Sequence, residues 1–192
     1  MGKFKRIATA FPDVAIIRPT IFEDYRGFFI EIYNRQELAE VGIPEEFVQD
    51  NVSYSRKGVV RGLHYQRKNA QGKLVRVLQG KIFDVIVDIR KGSDTYGHHI
   101  GMELSSEDSC MLYVPIGFAH GFMALTDNNE VMYKVTNYYS PEFDAGIRWN
   151  DPDLCIQWPV DEYEIRNPIV SPKDAALPVF RDIQSPFEYK GK

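Results

Sequence analysis

The stretch KLVRVLQGKIFDVIVDI, residues 73–89, decides the fold. In its second half Phe83, Val85, Val87 and Ile89 fall on one face of an extended chain, and Ile82, Asp84, Ile86 and Asp88 on the other. Side chains of a strand point to alternate faces, so this period of two predicts a β-strand. The first half is equally β-rich, and Gln79-Gly80 between the halves reads as a hairpin turn. Working outward, HHIGMEL (98–104), CMLYVP (110–115), HGFMAL (120–125) and EVMYKVTNYY (130–139) continue the pattern, separated by Gly, Pro, Asn and Asp turns. Many short strands at such spacing predict an all-β sandwich or barrel, in jelly-roll form able to enclose a ligand cavity.

One segment departs from this pattern. NRQELAEVG (34–42) has Asn34 as a helix cap, Glu37 three residues on and Gly42 after the end, which predicts one short helix. From about Asn150 prolines multiply, at positions 152, 159, 168, 172, 178 and 186. Residues 150–192 are therefore expected to wrap irregularly over the core with short helical turns. The chain has 192 residues, no internal repeat and no low-complexity segment, so residues 1–192 are expected to form a single domain.

Composition narrows the function classes. Hydrophobic residues make up 44% and charged residues 26%, an ordinary soluble balance. Apolar runs such as CMLYVPIGFA (110–119) are too short to span a bilayer. The start, MGKFKRIATAF, lacks a secretory pattern, and Arg6 spoils a myristoylation signal at Gly2. Cys110 and Cys155 have no metal or redox spacing, which suits a reducing compartment, so a cytoplasmic protein is expected. A net charge of −4 argues against nucleic-acid and membrane partners. Charge is nevertheless uneven: from Asn51 to Phe83 there is no acid among eight Lys or Arg (Arg56, Lys57, Arg61, Arg67, Lys68, Lys73, Arg76 and Lys81). These alternate with strand patterns instead of forming a tail, which points to a local anion site of diphosphate size.

Histidines are the candidates for chemistry. A metal site in a jelly roll would want two histidines at alternate strand positions, yet the position after next from His64 is Gln66. His120 stands later in PIGFAHGF (115–122), and His98 and His99, being adjacent, point to opposite faces. Two well-placed histidines without an acid are a poor zinc or iron set, so no metal is expected. Proton transfer needs a base oriented by an acceptor, a cation at the developing enolate oxygen, and an acid on the opposite face of the carbon. His64 suits the first role, Lys73 the second and Tyr133 the third; Asp84 and Asp174 are both open as the acceptor. Each has a plain structural reading too, with Tyr133 packing in the core, Lys73 solvated and Asp174 capping a helix. Arg61 and His64, three apart, point to opposite faces of a regular strand. Either Gly62 permits a bulge that turns both inward, or Arg61 acts from the kinked start of the strand.

Taken together, FEDYRGFFIEIYN (22–34), FVQDNVSYSRKGVVRGLHYQ (47–66), QGKLVRVLQGKIFDVIVDIRKGSDTYG (71–97), YVPIGFAHGF (113–122), VMYKVTNYYSPEFDAGIRWNDP (131–152), IQWP (156–159) and SPKDAALP (171–178) resemble the dTDP-4-dehydrorhamnose 3,5-epimerases. The resemblance covers nearly the whole chain and implies a cupin-type jelly roll. It implies that His64 is the base, paired with Asp174 in preference to Asp84, that Lys73 faces the substrate and that Tyr133 is the opposing acid. It further implies substrate contacts from Arg26, Glu31, Gln49, Asn51, Arg61 and His120, and a nucleotide contact from Tyr139, six residues after Tyr133 on the same strand face. Asp144 and Lys173 match binding positions as well. The implied reaction is epimerisation at carbons 3 and 5 of dTDP-4-dehydro-6-deoxy-D-glucose, without cofactor, by a homodimer whose N-terminal region reaches the neighbouring subunit, serving dTDP-rhamnose and polysaccharide biosynthesis. A single-carbon epimerase, a ketoisomerase on a related nucleotide 4-keto sugar, and a non-catalytic nucleotide-sugar binding module stand as alternatives.

Overall fold

The computed structural model describes residues 2–191; Met1, the first residue of the start read above, and Lys192 lie outside them. Strands dominate. The first sheet holds six in the order β1 (Phe4–Ala8), β2 (Ala15–Pro19), β10 (Met111–Val114), β7 (Lys73–Gln79), β12 (Asn129–Val135) and β5 (Gln49–Ser55). Facing it, the second runs β13 (Asp144–Gly146), β6 (Val59–Gln66), β11 (Phe118–Ala124), β8 (Lys81–Asp88) and β9 (His99–Ser105). Neighbours on these two paths are antiparallel, and the short β14 (Ile169–Val170) joins β6 in parallel. This is the expected all-β jelly roll.

The alternation of residues 82–89 now has a cause. Ile82 and Ile86 pack between the sheets with Val75, Val77, Leu112, Val131 and Phe122. Val85, Val87 and Ile89 face the other way, under Ile147 and, from the late, proline-rich segment, Leu154, Trp158, Phe180 and Phe187. Both faces of β8 are buried; Asp84 and Asp88, on the face of Ile82 and Ile86, are paired with His120 and Arg90. The helix α1 (Arg35–Glu40) is capped by Asn34, whose side chain accepts from the backbone N–H groups of Gln36 and Glu37. It covers the outside of the first sheet, where Leu38 and Ile43 meet Ile17, Leu74 and Met111.

The hairpin expected at Gln79-Gly80 is not one. β7 pairs with β10 and β12, whereas β8 pairs with β9 and β11, so the chain changes sheets at this corner. Gly80 adopts φ +80°, and a Cβ there would stand 2.3 Å from the carbonyl oxygen of Asn128. After the corner, the Lys81 N–H donates to Thr126 Oγ1 and Asn129 Oδ1 instead of to a hairpin partner. A turn dipeptide shows where the chain bends; the partners of its flanking strands come from distant sequence.

A two-stranded arm stands apart. β3 (Ile21–Asp24) and β4 (Gly27–Ile30) pair only with each other, and Phe22, Tyr25, Phe28 and Phe29 on it are all exposed.

Candidate active site

At one end of the sandwich the apolar filling gives way to a cavity of about 620 Å³. Tyr133 and Phe122 belong to both, lining the cavity while packing on the core. Its walls come from opposite sheets: Gln49, Asn51, Lys73 and Tyr133 from the first, Arg61, His64 and His120 from the second. Asn51 and Tyr133 are register partners on neighbouring strands, as are His64 and His120.

His64 is held from behind. Its Nε2 lies 2.8 Å from Asp174 Oδ1, while Asp174 Oδ2 accepts the Gly62 N–H at 3.1 Å. One carboxylate therefore orients the imidazole and fixes the backbone two residues before it. The β6–β11 register shifts between the His120 and Phe122 positions, and through this irregularity Arg61 and His64 both reach the cavity. The bulge reading of Gly62 is the one realised. Asp174 sits in the short α2 (Pro172–Ala175), where Ser171 Oγ accepts its N–H at 3.0 Å. Burial works to raise the Asp174 carboxyl, but His64, the Gly62 N–H and Lys173 together hold it below the ordinary aspartate value. With Nε2 donating to that carboxylate, the neutral ring keeps its lone pair on Nδ1, available as a base.

Asp84 belongs to a different pair. It is fully buried and both its oxygens meet His120 Nε2, at 3.0 and 2.8 Å. Of the two acceptors open from sequence, Asp174 is the one on His64. Lys73, only 9% exposed, donates from Nζ to the His64 carbonyl oxygen at 3.2 Å. Burial lowers its pKa to about 8, against opposition from Asp84 and Asp144. Burial likewise raises the Tyr133 phenol, with Arg61 opposing. A neutral phenol, a cation of modest pKa and a carboxylate-oriented imidazole thus share one cavity, as transfer of a proton beside a carbonyl requires.

Arg61 is anchored through Nε to Ser55 Oγ at 3.0 Å and through Nη2 to the Tyr54 carbonyl oxygen at 2.9 Å. At the mouth, Asp144 Oδ2 accepts from the Tyr139 hydroxyl at 3.0 Å and pairs with Lys173. Tyr139 is not on the strand of Tyr133, because β12 ends at Val135; the tyrosine lines the cavity from the loop beyond. Of the eight basic residues in the acid-free run, only Arg61 and Lys73 line the cavity. The others lie elsewhere: Arg76 is buried on the outer face of β7, Lys81 pairs with Glu103 beyond the sheet change at Gly80, and Arg56, Lys57, Arg67 and Lys68 stand in the loops flanking β6, with Lys68 over the Phe143 ring. Arg26 and Glu31 do not line it either. Arg26 pairs with Asp24 at the tip of the arm, and Glu31 with Lys3 at its base. His98 and His99 are likewise outside the lining, and among the described residues no three His, Cys, Asp or Glu side chains converge as a metal set.

The family model for dTDP-4-dehydrorhamnose 3,5-epimerase matches residues 8–182. The chain belongs to this family. The Salmonella typhimurium dTDP-4-dehydrorhamnose 3,5-epimerase is 52% identical over 175 residues, 90% of this chain and 93% of that protein. The fold superposes on the Legionella pneumophila dTDP-6-deoxy-D-glucose-3,5-epimerase in complex with dTDP-4-keto-L-rhamnose with a TM-score of 0.93, at 44% identity, covering 98% of this chain and all of that one. The Bacillus anthracis epimerase with TDP and PPi bound gives a TM-score of 0.87 at 48% identity, covering 92% of this chain and 99% of that one. The chain is thus an isomerase of the epimerase class.

Sequence reasoning passed over several members of this epimerase's cavity. Phe122 lines it two residues after His120 on β11, a relation that strand period alone could have shown. Gln66 does the same two residues after His64. Gln71 and Ser171 lie outside strands, where no periodicity marks them.

Proposed function

We propose that this chain inverts carbons 3 and 5 of dTDP-4-dehydro-6-deoxy-D-glucose, giving dTDP-4-dehydro-L-rhamnose for dTDP-rhamnose and polysaccharide synthesis. The observation that carries this reading is the placement of the Asp174–His64 pair and Tyr133 on opposite sheets, with the Lys73 cation beside the base. His64 takes the proton α to the carbon-4 ketone, and Asp174 stabilises the imidazolium that forms. Lys73 bears on the enolate oxygen as negative charge develops there. Tyr133 returns a proton from the other face, which inverts the carbon. Both acidic hydrogens flank the same ketone, so one set of groups serves both after the sugar shifts. Nothing is oxidised overall, and the residues named supply each proton step without a cofactor or metal.

Arg61, His120, Gln49 and Asn51 hold the sugar and diphosphate, and Tyr139, Asp144 and Lys173 hold the nucleotide end. The 192 residues act as one domain. An arm with four exposed aromatic side chains calls for cover, and a second copy of the chain is the cover we assign. Arg26 and Glu31 on that arm then serve the site of the partner in a homodimer. Two free cysteines and, among the described residues, no helix long and apolar enough to cross a membrane are compatible with a cytoplasmic enzyme.

Incubation with the 4-keto sugar nucleotide, borohydride reduction and sugar analysis test the reading. Products of L-rhamno configuration at carbons 3 and 5 are expected. Recovery of only D-gluco and D-galacto products would refute it, and inversion at one carbon would make the chain a single-carbon epimerase.

A further inference from the structure

We infer that Gln66 is a positioning residue for nucleotide recognition, its buried side-chain amide fixing the backbone of residues 138–140 and with it the Tyr139 ring at the cavity mouth. The inference rests on the reading of Tyr139 as a nucleotide contact and goes beyond it by naming what sets the place of that ring.

Gln66 is the last residue of β6 and is 4% exposed. An amide buried to this degree must find partners for its N–H groups and its oxygen, or the burial is costly. Gln66 finds them at the mouth. Its Oε1 accepts the Ser140 N–H at 2.8 Å, and its Nε2 donates to the carbonyl oxygens of Asn69 at 2.7 Å and Tyr138 at 3.3 Å. Only this orientation of the amide serves all three groups, since Ser140 offers a donor and the other two offer acceptors.

A second glutamine grips the residue between from the opposite sheet. Gln49 on β5 accepts the Tyr139 N–H at Oε1, 3.0 Å away, and its Nε2 donates to Asn51 Oδ1 at 2.8 Å. Three consecutive residues outside any strand or helix are thus held by side chains from both layers of the sandwich. The main chain of Gln66 also pairs in register with Asp144, the residue that accepts the Tyr139 hydroxyl at 3.0 Å. Both ends of Tyr139, backbone and phenol, therefore trace back to Gln66. The side chain of Tyr139 is half exposed, so apolar packing alone does not hold it.

The test is a double-mutant cycle between Gln66→Met and Tyr139→Ala, read by calorimetric binding of dTDP and by steady-state kinetics. Methionine keeps the length of the side chain and removes all three hydrogen bonds. In the parent enzyme, Gln66→Met is expected to weaken dTDP binding by about tenfold, with KM rising by more than kcat falls. In the Tyr139→Ala background the same substitution is expected to cost little further affinity, because the ring it positions is gone. Equal losses in both backgrounds would overturn the inference, as would wild-type dTDP affinity in Gln66→Met. If Tyr139→Ala itself binds dTDP as the parent does, the nucleotide reading of Tyr139 falls, and the inference with it. Should Gln66→Met fail to fold, Gln66→Asn, which withdraws the amide by one methylene, is expected to show the same pattern.

Discussion

Lys73 Nζ lies 3.2 Å from the carbonyl oxygen of His64, so the cation on one sheet is tied to the strand that carries the imidazole on the other. The proposed base and the cation proposed to meet the resulting negative charge are thereby kept in one fixed relation across the sandwich. The Lys73 side chain is buried, and burial brings its pKa down to about 8. The cation proposed for the enolate is therefore one that titrates just above neutrality.

The pH profile should show this. The role proposed for Lys73 requires the charged amine, so kcat is expected to fall as pH rises through about 8. Lys73→Arg should remove that alkaline limb if any activity remains, and rate measurements across the range check it. The same group bears on stability in a fixed direction. Between about 8 and 10.5 the unfolded chain holds its proton more readily than the folded one, so the contribution of Lys73 to stability rises with pH there.

Asp174 acts on the acid side. Its folded-state pKa is held below the ordinary value, so its stabilising contribution is present above that value and is lost as pH falls through the folded one. Urea midpoints of wild type and Asp174→Asn should converge on acidification. The same variant should lose about a hundredfold or more in kcat at neutral pH, because the imidazolium loses its counter-charge and the ring its orienting acceptor.

Tyr133→Phe should separate removal of the proton from inversion. The base remains, so solvent deuterium should still enter the sugar, whereas inverted product should fall by about a hundredfold. Mass spectrometry of recovered substrate checks it; loss of exchange together with inversion would place Tyr133 in the first step as well.

Arg61 reaches the cavity from the kinked strand as one of the few cations there, and diphosphate is its proposed partner. Arg61→Ala should weaken dTDP binding by roughly tenfold and flatten its dependence on salt, because a screened charge pair has been removed. Titrations at low and high ionic strength decide it. An unchanged salt slope would move the diphosphate elsewhere.

Much of this was legible in the sequence, and the unread part has physical causes. The alternation in 82–89 fixes a strand whatever its neighbours, and His64, Lys73, Tyr133 and Asp174 do share one cavity. The Gln79-Gly80 corner misled because a turn carries no record of which strands will pair. Six of the eight basic residues point away from the cavity, since one-dimensional clustering ignores both face and sheet. Spacing alone leaves Asp84 and Asp174 both open and only the resemblance favours Asp174; long-range pairing puts Asp84 on His120 and Asp174 on His64. Gln66 went unread because what it does lies in three backbone contacts, two of them to residues more than seventy positions away.

The most direct test is proton NMR of dTDP-4-dehydro-6-deoxy-D-glucose in heavy water with wild-type enzyme and with His64→Ala. The account predicts that wild type erases both the carbon-3 and carbon-5 proton signals, while His64→Ala binds dTDP and erases neither. Exchange at both carbons by His64→Ala at the wild-type rate would contradict it, and the base would have to be sought elsewhere in the cavity.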